Sequence, residues 1–421
     1  MAETLYLHIG LPKSGTTFLQ AALQENRERL AERDGLLWPG PRWVEHIRAA
    51  SDLLDKRPAG VPDPAGAWDR MLDDVRAFAG RGGVVSMEWL CQAEPRHLAR
   101  LRETLGGLDL QVIVTVRDLA RTLPSAWQEF CQNWETPTLR EFLESVASES
   151  PMDTHISRIF WTEQDLGKIL PRWVDAFSPS QVTVVTVPGQ GGSAALWNRF
   201  AEALGIGDAA AYDTNLRGSN SSLGLASAEL MRRVNLVSHR DNLPPDVYQR
   251  AFKMTLAKEV LVERRPREGV VGLPHDFADF VAERAALQVD QIKAAGVRLI
   301  GDLDDLGAGG RLVDELPEDQ PAEALLEAAL DGIVSFGRAL DASDTRHRHA
   351  LEEARERVRR LEEELAVLRN EYANKDERWR DAPLRAAAIS LSEQKPLMRR
   401  ARVAYWNAVN AGRRIRGLPT P

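Results

Sequence analysis

Residues 10–17, with the sequence GLPKSGTT, combine two glycines, a lysine and three hydroxyl side chains in one short stretch. A glycine loop between a strand and a helix turns backbone N–H groups and the positive helix end toward an anion. Gly10 and Gly15 have the spacing of a phosphate-binding P-loop, but Thr16 stands at its lysine position and Lys13 lies within the loop. The additional hydroxyl donors are Ser14, Thr16 and Thr17. These residues predict an anion site, the alternative being a tight strand-to-helix turn.

A second group of polar residues follows the apolar run VIVTV, which ends at Arg117. An arginine at the carboxyl end of a strand lies in the crevice where open α/β sheets bind ligands, and it indicates a second anionic group. Ser125 comes eight residues later, where we expect the first turn of a helix with its N–H and O–H facing that group. The alternative for Arg117 is an ion pair with Asp118 or a surface position.

Glu88 follows the strand-like run GVVSM and is the first candidate for a general base in the same crevice. The alternative is a carboxylate that only complements a helix dipole. His46 is a second candidate and His155 a third, although a lone histidine is usually structural. The two cysteines, Cys91 and Cys131, are too few for a metal cage, and we predict no metal site.

Alternating strand and helix patterns place these residues. Apolar runs rich in β-branched residues predict strands at 4–9, 83–87, 110–116, 181–187 and 297–301, and LLW before Pro39 predicts a short one. Helices are predicted at 16–33, 95–105, near Pro124 onward, 159–177 with a kink or division at Pro171, 193–204, and over much of 224–295. Unbroken apolar strands separated by helices predict an α/β fold with a parallel sheet flanked by helices.

The 421 residues fit one large or two ordinary domains, and 43% of them are hydrophobic, which is enough for a substantial core. A net charge of −8 does not favour a general nucleic-acid surface, so we expect no nucleic-acid partner. No basic-then-apolar leader and no apolar run of about 18 residues is found, which predicts a cytoplasmic protein without a membrane span.

The chain beyond the α/β region changes character. We predict an α/β domain over 1–310, a helical linker over 311–344, a coiled-coil helix over 345–382 and a basic tail over 383–421. Apolar residues at alternating spacings of three and four indicate the coiled coil. They are Leu351, Ala354, Val358, Leu361, Leu365, Leu368 and Tyr372. These residues form an apolar seam along the helix, which predicts either a homodimer or packing on the same chain. The tail predicts either peripheral contact with anionic lipid or packing on the acidic body.

The two polar motifs also carry a family resemblance. PKSGTT after a strand resembles the 5′-phosphosulfate loop of sulfotransferases that use 3′-phosphoadenosine 5′-phosphosulfate (PAPS), and VRDLARTLPSAWQEF is similar to their 3′-phosphate motif. The resemblance covers about residues 4–305 and is nearest to bacterial sulfotransferase-like proteins of the HIGLPKSGTT type. SMEWL matches an acidic residue of their pattern, and LRGSNSSLG matches a late loop in which Arg217 and Gly218 would close over the 3′-phosphate and adenine.

The resemblance implies a P-loop-like fold and transfer of a sulfuryl group from PAPS to a hydroxyl or amine, with 3′-phosphoadenosine 5′-phosphate (PAP) as product and no metal. Lys13 would stabilise the leaving phosphate and Glu88 or His46 would take the acceptor proton. The implied donor-binding residues are Lys13, Ser14, Gly15, Thr16, Thr17, Arg117, Ser125, Arg217 and Gly218. The acceptor stays open among a glycan, a glycolipid and a small alcohol or phenol. Two alternatives also stay open: a nucleotide-dependent kinase, and a non-catalytic coiled-coil scaffold with a degenerate nucleotide domain.

Overall fold

The computed structural model describes residues 2–58, 61–150, 152–216, 222–307, 309–380, 400 and 403. The chain divides into two compact units, Met1–Ala339 and Leu340–Pro421. Among the described residues, none of the helices combines the length and apolarity needed to cross a bilayer.

The first unit is built on a parallel sheet. The strands are β1 (Thr4–His8), β2 (Leu36–Leu37), β3 (Gly82–Ser86), β4 (Asp109–Val116), β5 (Val182–Thr186), β6 (Leu273–Pro274), β7 (Arg298–Ile300) and β8 (Leu312–Val313). Six of them form a sheet in the order β2-β3-β1-β4-β5-β7, with every pair parallel, while β6 and β8 form a small parallel pair. The central strand β1 lies between β3 and β4, so the loop after β1 opens at the point where the strand order reverses, the usual ligand crevice of such sheets.

Helices account for most of the remaining structure. The α-helices are α1 (Thr16–Glu25), α2 (Arg27–Asp34), α3 (Val44–Leu53), α4 (Ala67–Ala77), α5 (Pro95–Thr104), α6 (Leu119–Gln132), α7 (Leu139–Ala147), α8 (His155–Gln164), α9 (Leu166–Ala176), α10 (Gly192–Ala203), α11 (Leu225–Arg240), α12 (Pro245–Val247), α13 (Ala278–Ala295) and α14 (Ala322–Arg380). A π-helix spans Tyr248–Val260, and 3₁₀ turns lie at Glu88–Gln92, Pro179–Gln181, Ala209–Ala211, Leu261–Arg267, His275–Phe277, Leu303–Leu306 and Pro317–Asp319.

The two faces of the sheet bury different side chains because successive strand residues point to opposite sides. On β1, Leu5 and Leu7 pack into a core formed with α3, α4, α5 and α9. Tyr6 points to the other side, where α1 and α10 provide the apolar cover. His8 lies on that second face, and its ring meets Phe200 of α10 edge-on at 4.9 Å. The sheet is therefore covered on both faces, which explains its unbroken apolar strands.

A separate helical core lies beside the sheet. It is formed by buried residues of α6, α7, α8 and α11, with Phe142, Phe160 and Trp127 among the largest side chains. The aromatic rings of Phe142 and Phe160 meet edge-on at 5.8 Å. Helix α6 belongs to this core and also directly follows the central strand β4, so it connects the helical core to the carboxyl edge of the sheet.

The fold class is confirmed, and each of the six predicted strands lies within about two residues of an observed one. Three helix predictions are wrong in detail. The helix predicted near Pro124 begins at Leu119, because the Asp118 carboxylate caps it by accepting the Arg121 N–H at 2.8 Å. Pro124 lies inside that helix. The predicted division at Pro171 occurs instead at Asp165, between α8 and α9.

The third correction concerns the helix predicted over 16–33, which is broken at Asn26. The buried Asn26 amide makes paired bonds to a distant backbone: its Nδ2 donates to the Asp213 carbonyl at 2.8 Å, and its Oδ1 accepts the Asp213 N–H at 3.0 Å. Nδ2 also donates to the Ala22 carbonyl at 2.9 Å, which ends α1. A tertiary contact, invisible to helical periodicity, thus sets the break.

Helix α14 begins in the first unit and provides residues 340–380 of the second. The helical character of the C-terminal extension is confirmed, and α14 runs without interruption across the boundary that we predict between residues 344 and 345. Coiled-coil pairing stays a prediction. The predicted tail over 383–421 lies outside the described residues except for positions 400 and 403.

Replacing Asn26 tests this contact. We expect Asn26→Ala to lower the free energy of unfolding by about 1–3 kcal/mol, because it removes bonds to the Asp213 and Ala22 backbone. The control is Glu28→Ala, whose side chain is 85% exposed and should change stability by less than about 0.5 kcal/mol. Urea unfolding measures both variants, and equal stabilities would contradict the role of Asn26.

Candidate active site

The loop between β1 and α1 is held by backbone bonds to β4. Leu11 N–H donates to the Thr115 carbonyl at 3.0 Å, and Ser14 N–H donates to the Leu11 carbonyl at 3.2 Å. Lys13 and Gly15 both have left-handed backbone geometry, with φ of 68° and 87°. A lysine in that region is unusual and is found where the surrounding structure imposes it, often at functional sites. The turn carries Lys13 at its tip and ends in the first N–H groups of α1.

A buried chain of polar side chains lies directly under the loop. The His8 ring bonds to Ser86 through Nδ1 at 2.8 Å and to Thr115 through Nε2 at 3.1 Å. The Ser14 hydroxyl donates to the Leu11 carbonyl at 2.5 Å and meets the Thr115 hydroxyl at 2.6 Å. Burial lowers the pKa of His8 to about 3, so the imidazole is neutral and bonds as one donor and one acceptor.

These contacts correct one sequence prediction. Ser14 is fully buried and its hydroxyl is committed to the loop and to β4, so it stabilises the loop instead of donating to a ligand. Thr17 is exposed at the start of α1 and Thr16 is buried. Gly10 has no room for a side chain, because a Cβ there would lie 2.1 Å from Thr115 Oγ1. Of the three predicted hydroxyl donors, Thr17 is the one exposed to solvent.

Arg117 joins the two sequence motifs. It follows β4 immediately, and its Nη1 donates to the Lys13 carbonyl at 3.2 Å. Its Nε is buried without a hydrogen-bond partner among the described residues. Burial lowers the pKa of the guanidinium, and the neighbouring Arg121 lowers it further. A buried cationic N–H without an acceptor is costly, and an anionic ligand group would satisfy it.

Ser125 does not lie where the sequence predicts. It is the seventh residue of α6, so its N–H belongs to the helix interior and is not a free first-turn donor. The side chain is partly exposed. Its predicted role is therefore reduced to the hydroxyl alone, and that role stays a prediction.

Lys13 is paired with a carboxylate that sequence reasoning missed. Its Nζ lies 3.0 Å from Oε2 of Glu129, on the helix that follows Arg117. Burial raises the pKa of the Glu129 carboxyl, but the charge and hydrogen bond of Lys13 together with the charges of Lys253 and Lys258 leave the net pKa lowered. The available signal was position: Glu129 comes four residues after Ser125, so both lie on one face of α6.

Glu88 begins the 3₁₀ turn after β3, at the same edge of the sheet. Its Oε2 accepts a hydrogen bond from Nε2 of Gln20 on α1 at 2.9 Å. Burial raises the pKa of Glu88, the Gln20 bond lowers it, and the charges of Glu129 and Lys13 act in opposite directions. A partly buried carboxylate with a raised pKa is a stronger base, as proton abstraction requires.

Glu163 is a further carboxylate of this region that sequence reasoning missed, because no motif surrounds it. Its Oε1 accepts from Gln92 Nε2 at 2.8 Å, and Lys56 Nζ donates to Gln92 Oε1 at 2.7 Å. Burial and, to a lesser extent, the charge of Glu129 raise the pKa of Glu163 to about 8, against the opposing charge of Lys56. Among the described residues, no group of three or more His, Cys, Asp or Glu has the arrangement of a metal site.

The structure does not support His46 as a general base. The ring is fully buried and stacks on Trp38 with centroids 3.8 Å apart. Its Nε2 bonds to the Pro39 carbonyl at 3.0 Å, while Nδ1 accepts the Ser86 N–H at 3.3 Å. Burial lowers the pKa of His46 to about 3. Both ring nitrogens make hydrogen bonds and the buried ring cannot reach an acceptor substrate, so His46 stabilises the end of β3.

Three other predicted residues are not among those that the structure brings together. His155 is mostly exposed at the start of α8, with Nε2 3.9 Å from Glu135. Arg217 and Gly218 lie outside the described residues. The residues that the structure brings together are therefore Lys13, Arg117, Glu88 and Glu129, with Thr17 at the neighbouring helix start.

Comparisons with known proteins add one likeness. No protein-family model and no curated protein matches the chain. A crystal structure of a sulfotransferase from Alicyclobacillus acidocaldarius is similar over 59% of this chain and 100% of its own, at 14% sequence identity and a TM-score of 0.35.

Neutralising Glu163 should change how stability depends on pH. The folded-state pKa of about 8 lies above the usual value of about 4.3, so the folded protein binds the extra proton and loses stability as pH rises between these values. We expect Glu163→Gln to match the parent near pH 4 and to be more stable than the parent at pH 8. Urea unfolding across pH 4–9 measures this.

The matched control for that experiment is Glu103→Gln, an exposed carboxylate on α5. It should leave the pH profile of stability unchanged. A Glu163→Gln variant whose stability runs parallel to that of the parent at every pH would refute the buried, protonated state of Glu163.

Proposed function

We propose that the protein is a sulfotransferase that takes a sulfuryl group from PAPS and gives it to a hydroxyl or amine acceptor. The observation that carries this proposal is the contact between the two motifs: the Arg117 guanidinium bonds to the Lys13 carbonyl, so a lysine-tipped loop and an arginine meet at the carboxyl edge of β1 and β4. Two cationic groups on adjoining backbone suit a ligand with two anionic groups, which PAPS has at its 5′ and 3′ ends.

The donor would bind mainly through backbone and charge. The 5′-phosphosulfate fits the N-terminus of α1, where free N–H groups and the Thr17 hydroxyl face outward. The 3′-phosphate fits the buried, unpartnered Nε of Arg117. Ser14 turns its hydroxyl inward and so leaves the outer side of the loop backbone open to an anion, while Gly10 lets the loop pack closely on Thr115 and His8.

Lys13 would act on the leaving group. As the sulfuryl group departs, negative charge develops on the phosphate oxygen that had bridged it to the nucleotide. An ammonium beside that oxygen stabilises charge that exists only in the transition state. Glu129 holds the ammonium 3.0 Å away in this structure and so competes with the leaving oxygen for it. We expect the bound donor to draw Lys13 away from Glu129.

Glu88 would take the acceptor proton. Its carboxylate lies at the edge of the sheet next to β1, with one oxygen fixed by Gln20 and its pKa raised by burial. A base of raised pKa accepts a proton from an attacking hydroxyl more readily, while the Gln20 bond fixes its direction. The acceptor class stays open among glycans, glycolipids and small alcohols.

Calorimetric titration decides between donor classes. We expect PAP to bind and ATP with Mg²⁺ to bind far more weakly, because the loop has its lysine at the crest and not at the P-loop position. Binding of ATP with Mg²⁺ and none of PAP would replace the sulfotransferase with a nucleotide-dependent kinase. Binding of neither would favour a non-catalytic scaffold.

Lys13→Ala tests the leaving-group role. Turnover should fall by about 10²–10³, the usual loss when one preorganised transition-state donor is removed. PAP affinity should change much less. The matched control is Lys168→Ala, a mostly exposed lysine on α9 paired with Asp165, which should leave turnover unchanged. Near-normal turnover of Lys13→Ala, measured by PAP release, would remove Lys13 from the mechanism.

Arg117→Ala tests the 3′-phosphate contact. A charged hydrogen bond contributes about 1.5–3 kcal/mol, so PAP affinity should fall by about 10- to 150-fold. Adenosine 5′-phosphosulfate lacks the 3′-phosphate and should lose little affinity, which provides the internal control. Equal losses for both ligands would show that Arg117 acts by holding the loop through the Lys13 carbonyl.

A further inference from the structure

Helix α14 exposes an unusual amount of apolar surface. Of the nineteen large apolar side chains exposed among the described residues, eleven lie on α14. They are Leu326, Leu330, Ile333, Val334, Leu340, Leu351, Val358, Leu361, Leu365, Val367 and Leu368. Leu361 is 55% exposed and Ile333 is 68% exposed. An apolar surface of this extent, on a helix with a charged opposite face, marks an interaction site.

Nine of these eleven residues share one heptad phase. If Leu351, Val358 and Leu365 occupy a positions, Leu361 and Leu368 occupy d positions. The same phase continues backward without a shift: Leu330 falls at a, and Leu326, Ile333 and Leu340 fall at d. The seam therefore begins well before the predicted coiled coil at residue 345. Within unit 1, the opposite side of this helix packs on the body through Leu325 and Ala328, so the seam is free there.

The middle of the seam is polar. Asp344 falls at an a position and His347 at the following d position, and Gly337 and Ala354 are the small residues on either side. When two identical helices pair through this seam, each of these residues must face a seam residue of the other copy. In a parallel dimer each a residue meets its own copy, which puts Asp344 against Asp344. In an antiparallel dimer each a residue meets a d residue of the other copy.

We propose that α14 pairs with α14 of a second copy as an antiparallel coiled coil centred between residues 345 and 346. This centre places the Asp344 carboxylate of each copy beside the His347 imidazole of the other. It also places Gly337 opposite Ala354, so the two small residues share a layer. Four other layers then pair large apolar residues: Leu340 with Leu351, Ile333 with Val358, Leu330 with Leu361, and Leu326 with Leu365. At each outer end Leu368 faces Glu323, whose carboxylate can reach solvent.

Charges beside the seam agree with this centre. Asp341 and Arg348 occupy e positions on either side of the centre, and antiparallel pairing brings each beside the other in the second copy. Glu327 and Glu362 form one like-charged pair near the outer ends. A parallel dimer would gain pairs such as Arg357 with Glu362. That gain lies at the solvent-exposed rim, whereas its facing Asp344 carboxylates lie in the seam, where an unpaired charge costs more.

Cysteine cross-linking tests both the partner and its direction. The native Cys91 and Cys131 are buried, so the background is low. The antiparallel centre brings Ile333 of one copy beside Val358 of the other, within reach of a disulfide. We expect the full-length double variant Ile333→Cys/Val358→Cys to form a cross-linked dimer under mild oxidation. Each single variant should not, because its two cysteines would lie about 37 Å apart along the helix.

Other outcomes overturn the proposal. Cross-linking of either single variant with itself would establish a parallel dimer. Light scattering that gives a single-chain mass of 46.9 kDa for the full chain at micromolar concentration would establish a monomer. The proposal does not depend on the enzymatic function, so loss of PAP binding would leave it untouched.

A charge swap provides a second measurement for the same proposal. Asp344→Lys should weaken association by about tenfold or more, because each dimer loses two carboxylate–imidazole contacts and places two lysine ammoniums in the seam. Adding His347→Glu should restore it by reversing both partners. Arg360→Glu, an exposed change away from the seam, is the matched control and should have little effect. Failure of the double variant to recover would refute the Asp344–His347 contact.

Discussion

The site depends on the buried hydrogen bonds that join His8, Thr115 and Ser14 beneath the loop. Parallel strands in register place His8 opposite Ser86, and the alternation of side chains brings Thr115 of β4 to the same face. The neutral imidazole and two hydroxyls satisfy one another where water is excluded, and removing any one would leave buried polar atoms unpaired. The loop rests on this layer, which fixes its height above the sheet and requires glycine at position 10.

Three carboxyl groups lie near the Lys13 ammonium. Glu129 bonds to it directly, and the Glu88 and Glu163 carboxyls lie close enough for their pKa values to respond to it. Burial is the main cause of the raised pKa values of Glu88 and Glu163, and the charge of Lys13 offsets it only in part. An arriving phosphosulfate would compete for the same ammonium. In the proposed reaction, donor binding therefore leaves the carboxylates less neutralised and makes Glu88 a better proton acceptor.

The sequence was sufficient for the sheet because β-branched apolar runs are local signals. It also located Lys13, Arg117 and Glu88 in the segments that follow β1, β4 and β3, while their catalytic and binding roles stay predictions. It was insufficient wherever tertiary contacts decide. Ser14 and Thr17 look alike in a motif, and only the neighbouring Thr115 shows that Ser14 faces inward. Pro124 suggested where α6 begins, but the helix begins earlier, where the Asp118 carboxylate caps it. Glu163 has no motif around it, and Glu129 lies within the second motif without a predicted role, so only the packing of the helices shows that both approach Lys13.

The two roles of the Arg117 guanidinium explain why this position requires an arginine. The guanidinium is planar, so the bond from Nη1 to the Lys13 carbonyl also fixes the direction of Nε. One side chain thereby holds the loop and keeps a second donor unoccupied among the described residues. A lysine could do either but not both, because its ammonium sits on a flexible stem and has no rigid fork. The same bond makes the two proposed anion subsites interdependent: a ligand that pulls on Nε also pulls on the backbone that carries Lys13.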